Sequence, residues 1–193
     1  SSNLLHQYSD EHTPLSGLSK DYVLYYFIPP KADSSTDTTL EDYLQQLSHP
    51  PQKIIYIGSS DIYSDHQGEW IDEESSLNIV TPRQQGRLSA ETLLADYAAL
   101  HQLPLARLRI AGIYGPGRLP FEAAKQQLPL IYPNEAPMIN HIYVKDLAKI
   151  LALLGTSITY HGILNISDGN PHPMGYLQEL TAKYFDYPKS TYQ

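Results

Sequence analysis

The stretch that decides the fold is Leu103-Pro104-Leu105-Ala106-Arg107-Leu108-Arg109-Ile110-Ala111-Gly112-Ile113-Tyr114-Gly115-Pro116-Gly117-Arg118. Ala106, Leu108 and Ile110 alternate with Arg107 and Arg109, the period of a strand, and Gly115-Pro116-Gly117 turns the chain after it. One strand is therefore expected here, apolar side inward. Just upstream, Ala90, Leu93, Leu94 and Tyr97 share one face of a helix. Before that helix, Lys53-Ile54-Ile55-Tyr56-Ile57 forms a second apolar run that passes straight into Gly58-Ser59-Ser60. Further back, Tyr22 to Ile28 is continuously apolar and closed by Pro29-Pro30, which predicts a strand buried on both faces. Between these two strands Leu40, Tyr43, Leu44 and Leu47 mark a helical face, with Thr38 and Glu41 placed to form its capping box. Strands alternating with helices imply a parallel α/β sheet.

Outward from this frame, Ser64 to Gly86 is a polar excursion that carries Trp70 and a solvated acidic run, Asp72-Glu73-Glu74. Downstream, Val144, Leu147, Ala148 and Leu151 predict a helix, Ile163 to Ser167 a short strand, and Leu177, Leu180 and Tyr184 the inward face of a last helix. The chain of 193 residues reads as a single domain, with 21–118 as the sheet core and 119–193 as a C-terminal portion. With 41% apolar and 18% charged residues it is neither disordered nor membrane-spanning. A net charge of −8 without a basic patch argues against nucleic acid and anionic membranes as partners. The absence of cysteine removes disulfides, thiolate metal sites and thiol nucleophiles. Eight histidines without a HExxH spacing give no metal site. Sixteen tyrosines are scattered along the chain and mark no site. The sequence Ser1-Ser2-Asn3-Leu4-Leu5 lacks a basic, apolar leader pattern, so the expectation is a cytoplasmic chain that begins partway.

Four strings then carry a resemblance. Ile57-Gly58-Ser59-Ser60-Asp61-Ile62-Tyr63 is similar to a strand end of pattern SSxxVYG, Leu108 to Arg118 to LRxxxxYGPGR, Asn140 to Ala148 to NxIHVxDxA, and Asn165-Ile166-Ser167-Asp168 to YNxSD. In this order they resemble the extended branch of the short-chain dehydrogenase/reductase superfamily, the NAD-dependent epimerase/dehydratase family. The resemblance implies a Rossmann-like parallel sheet, present here as a partial domain with 119–193 on its substrate side, a NAD or NADP cofactor, a small-molecule substrate such as a sugar nucleotide or another carbonyl compound, and a possible homodimer.

Two departures stand out. The family's first βαβ unit, with its GxxGxxG phosphate cradle, has no counterpart: Gly17 stands alone before Gly58. The chain resembles the family from about its fourth strand onward, which predicts a fragment or a chain completed by another polypeptide. In addition, aligning Arg87-Leu88-Ser89-Ala90-Glu91 with the family pattern KxxAE puts Arg87 at the position of the catalytic Lys and Arg83 at that of the Tyr. A guanidinium stays protonated and cannot shuttle a proton at neutral pH. Ser59 falls at the catalytic Ser position. The resemblance thus implies Ser59, Arg83 and Arg87 as the degenerate catalytic set. It implies Ile28, Pro29, Pro30, Gly58, Ser59, Ser60, Arg87, Ile110, Ala111, Gly112 and Ile113 against the cofactor, and Tyr63, Arg118, Asn140 and His141 toward substrate. A non-catalytic dinucleotide sensor or scaffold is the alternative.

Overall fold

The computed structural model describes residues 21–31 and 35–193. Ser1 to Leu5 and Gly17, singled out in the sequence, lie outside the described residues.

A four-stranded parallel sheet organises the chain: β1 (Val23–Tyr26), β2 (Lys53–Ser59), β3 (Leu105–Ile110) and β7 (Gly162–Ile166), adjacent in that order. Helices α1 (Thr38–Gln46) and α2 (Pro82–His101) cover one face and α4 (Val144–Thr156) the other. Alternate residues of β2 supply the two cores. Ile54 and Tyr56 pack with Leu40, Leu94 and Leu105 on the α1/α2 side, and Ile55 packs with Leu108, Ile142 and Leu154 on the α4 side. This is why β2 reads as an unbroken apolar run rather than an alternating one. The expected Rossmann-like architecture is what the chain adopts.

Two small ribbons sit beyond the sheet. The strands β4 (Gly112–Tyr114) and β6 (His141–Tyr143) pair in parallel, while β5 (Met138–Ile139) and β8 (His172–Pro173) pair antiparallel. Helices α3 (Phe121–Lys125) and α5 (Tyr176–Tyr184) pack together in the C-terminal portion. That portion also contributes β7 to the main sheet, so the sheet draws on both sides of residue 118.

Several expectations need correction. The stretch 103–118 is not one strand: β3 ends at Ile110, Ala111 donates its N–H to Ile166, and β4 leaves to pair with β6. Arg109, assigned to the wet side of β3, is buried. The cap of α1 is Asp37, whose Oδ1 accepts from the Leu40 N–H at 3.0 Å, and not a Thr38/Glu41 box. The polar excursion ends before Pro82, where α2 starts under a Thr81/Gln84 capping box with proline at its first position. The first strand is shorter than 22–28, and Phe27 is exposed. Ala148 on α4 and Tyr184 on α5 face outward; Thr181 and Ala182 form the buried side of α5.

Candidate functional site

The carboxyl end of β2 is where the chemistry collects. Ser59 is in extended conformation and its Oγ accepts from the Asp61 N–H at 3.3 Å, opening a short 3-10 turn, Ser60–Tyr63. The hydroxyl proton of Ser59 stays available to a ligand. Gly58 is required by packing: a Cβ there would lie 2.8 Å from the Leu108 carbonyl oxygen and from the Tyr56 ring.

Helix α2 brings the cation. Arg87 is buried, and its Nε lies 3.2 Å from Asp61 Oδ1 as an ion pair whose angles fall outside hydrogen bonding. Arg83, one turn earlier, is exposed. Gln84, which the sequence reading passed over, is buried between them. Its Nε2 donates to the Asp61 carbonyl at 2.7 Å and to Ser64 Oγ at 3.3 Å, while its Oε1 accepts from the Val80 and Thr81 N–H groups. The capping box signature, Thr followed three residues later by Gln, was the signal that marks it.

Behind the turn lies a second buried pair. Arg109 donates to both carboxylate oxygens of Glu91, and its guanidinium carbon sits 4.8 Å from the centroid of the buried Tyr63 ring. Burial alone would lower the Arg109 pKa, but its hydrogen bonds to Glu91 and the influence of Tyr63 together outweigh burial and hold the guanidinium above its ordinary value. The Tyr63 hydroxyl donates to Asn165 Oδ1 at 2.8 Å and is fully enclosed, so it is not presented to solvent. Tyr56, between Arg87 and Glu91 electrostatically, is held well above the ordinary phenol range by burial first and by Glu91 second. It is a neutral phenol and no substitute for a proton-transferring tyrosine.

Of the other sequence-derived candidates, Ile110 lies beside Ser59 as its register partner across β2 and β3. Ile28 is half-buried, Pro29 exposed and Pro30 buried beyond the carboxyl end of β1. Ile110 and Ala111 are buried, Ile113 is half-buried and Gly112 is exposed. The Asn140 carbonyl accepts from the Gly112 N–H at 3.2 Å. His141 pairs with Gly112 across β4 and β6, packs edge-on against Tyr114, and has a buried Nδ1 without a hydrogen-bond partner. Burial holds its pKa below the ordinary imidazole value, aided by His172 and opposed by Asp168. Arg118 faces solvent. Among the described residues no three His, Asp or Glu side chains gather as metal ligands, and no helix is long and apolar enough to cross a membrane.

This geometry offers hydroxyl donors at Ser59 and Ser60 beside one fixed cation, a donor set that suits ribose hydroxyls or phosphate. The residues fit one wall of a dinucleotide site. A glycine-rich turn for the pyrophosphate is not found among the described residues.

Comparison with known proteins follows the same lines. The family model described as NAD dependent epimerase/dehydratase matches residues 31–167. A curated relative from Bacillus subtilis, described as an uncharacterized UDP-glucose epimerase, YtcB, is 29% identical over 116 residues, covering 55% of this chain and 36% of that protein. Among solved structures, a functionally unknown conserved protein from Silicibacter pomeroyi superposes with a TM-score of 0.73 at 26% identity, over 93% of this chain and 64% of that one. The dTDP-glucose 4,6-dehydratase of Bacillus anthracis, solved in complex with NAD, superposes with a TM-score of 0.69 at 19% identity, over 89% of this chain and 59% of that one. The matched stretch thus spans little more than a third of the length of the curated relative.

Proposed function

The chain belongs to the NAD dependent epimerase/dehydratase family, and from that premise we propose that it binds NAD or NADP against the carboxyl ends of β2 and β3 and acts on a sugar nucleotide or a small carbonyl substrate. The observation that carries this reading is the buried Arg87, paired with Asp61 beside Ser59. Ligands of open parallel sheets bind beyond the carboxyl ends of the strands, and Asp61, which follows β2 there, holds the Arg87 guanidinium of α2. The dinucleotide, when bound, supplies hydride acceptance and return at its nicotinamide. The chain's own residues divide the remaining work. Ser59 donates its hydroxyl proton to a substrate oxygen. Arg87 holds a ribose or phosphate oxygen and stabilises negative charge near it. Neither arginine takes up a proton, so acid/base transfer is slow and turnover is weak. The same reading carries a cytoplasmic setting and a homodimer.

The test is a titration with NADH and with NADPH, followed by nicotinamide fluorescence and thermal stability together, since a ligand of the native state raises Tm by mass action. Saturable binding is expected; its absence for both nucleotides overturns the reading. A double variant, Arg83→Tyr with Arg87→Lys, is expected to gain hydride transfer. Binding without turnover in both forms favours the second reading, a dinucleotide sensor, for which the solvent-facing Arg83 and the locked Asp61–Arg87 pair are the supporting observations.

A further inference from the structure

Asn165 is gripped from two sides by one segment. Its backbone N–H donates to Glu73 Oε1 at 2.7 Å, and its side-chain Oδ1 accepts from the Tyr63 hydroxyl at 2.8 Å. Tyr63 closes the turn that leaves β2, and Glu73 lies in the middle of the polar excursion that follows it. Strand β7 pairs with β3 on one side only among the described residues. On its other side the Asn165 N–H is taken by Glu73 and the Ile163 carbonyl accepts from the Tyr160 hydroxyl at 3.0 Å. Side chains thus close the strand edge that another strand would otherwise pair with.

Gln84 of α2 holds both ends of the excursion, at Ser64 and at Val80 and Thr81. Between those ends the other side-chain hydrogen bonds are local, among them Gln67 to Asp65, His66 with Ser76, and Asp72 with Ser75. Beneath it runs a groove of about 400 Å³ lined by Glu73, Glu74, Arg107 and Tyr160, in which Arg107 Nε is buried without a hydrogen-bond partner. Arg107 lines the same groove as Glu73 and Glu74, a complement of charge that favours the closed position. At the other end the grip reaches the candidate site, because Tyr63 is the last residue of the turn that contains Asp61, and Gln84 ties both Asp61 and Ser64 to α2.

We propose that residues 64–81 form a strap and that Asn165 is its latch, so that closure of the strap on β7 and ordering of the Ser60–Tyr63 turn are one event. Asn165 is then a positioning residue for the turn, acting through Tyr63. A segment whose middle has exposed, local hydrogen bonds opens at the low end of a protein's stability range, and here the Glu73 carboxylate is what joins that middle to β7. The inference stands whether or not a dinucleotide binds.

The test uses Trp70, the sole tryptophan, which lies on the strap and is 86% exposed, so its emission reports this segment alone. Fluorescence anisotropy of Trp70 and hydrogen exchange of the Asn165 amide are measured in the unaltered chain and in Glu73→Ala, Glu73→Gln and Tyr63→Phe. Glu73→Ala is expected to speed exchange at Asn165 at least tenfold and to lower the anisotropy, while amides of β3 keep their protection. Glu73→Gln, which retains an acceptor oxygen, restores most of both. Tyr63→Phe keeps the ring under Arg109, removes only the hydroxyl, and is expected to lower the Trp70 anisotropy from a distance. Asn165→Ala reaches the same contact from the other side and guards against a misfolded Tyr63 variant. Unchanged Asn165 exchange in Glu73→Ala, or unchanged anisotropy in both Tyr63→Phe and Asn165→Ala, would overturn the latch.

Discussion

Arg109 and Glu91 meet at two points, Nε to Oε1 at 3.1 Å and Nη2 to Oε2 at 2.8 Å, with both side chains almost sealed from water. The pair joins β3 to α2 and places a cation over Tyr63, so it organises the wall behind the candidate site. Removing one partner strands the other charge in the interior, a loss of about 3–5 kcal/mol. Glu91→Ala should therefore lower stability by that amount in urea unfolding followed by circular dichroism. Glu91→Leu combined with Arg109→Met should be milder than Glu91→Ala alone, because no charge is left unpaired. A double variant worse than the single one would contradict this account.

Gly155, inside α4, is a packing requirement. A Cβ there would fall 1.6 Å from the Tyr25 hydroxyl oxygen, which donates to the Leu151 carbonyl at 3.2 Å. Alanine favours a helix over glycine by about 1 kcal/mol, yet Gly155→Ala should lower Tm, since the tyrosine is displaced and overpacking costs about 1–3 kcal/mol. Adding Tyr25→Leu should recover part of the loss. A rise in Tm for Gly155→Ala alone would show that Tyr25 moves aside freely.

His141 gives a pH dependence of definite sign. Burial first, and His172 second, hold its folded pKa below the ordinary value, so below about pH 6.5 the unfolded chain binds more protons than the folded one. The stability attached to this group is fully present above pH 6.5 and is lost as the pH falls through the folded pKa. Unfolding free energies at pH 7.5 and 5.5 should differ less in His141→Gln than in the unaltered chain. Equal pH dependence in the two would remove His141 as its source.

Asp61 is more than a third exposed, but the paired atoms, Asp61 Oδ1 and Arg87 Nε, are themselves buried, so Asp61→Asn leaves a buried guanidinium without its counter-charge and should lower stability measurably in urea unfolding. Affinity for a phosphate-bearing nucleotide is then expected to rise, with a steeper dependence on salt, in fluorescence titrations at low and high ionic strength. Weaker binding in Asp61→Asn would place the carboxylate, rather than Arg87, against the ligand.

What the sequence determined by itself is the order and kind of the main elements. The periodic spacing of Leu40, Tyr43 and Leu44, the apolar run from Ile54 to Ile57, and the Gly-Pro-Gly turn are local signals, and local signals are complete in the chain. The candidate strand end at Gly58-Ser59-Ser60 was legible for the same reason. Only the tertiary structure decided the rest. Arg83 and Arg87 look alike in sequence, yet one faces water and the other is buried, because only Arg87 meets a carboxylate brought from another element. Arg109 breaks its alternation pattern because Glu91 and Tyr63 cover it. The split of 103–118 into two strands follows from Ile166 and from β6, which arrive much later in the chain and capture the backbone of Ala111 and Gly112 to Tyr114. In each case the deciding partner is distant in sequence, and burying a charge or turning a strand depends on the free energy of that partner's contact, which no local pattern contains.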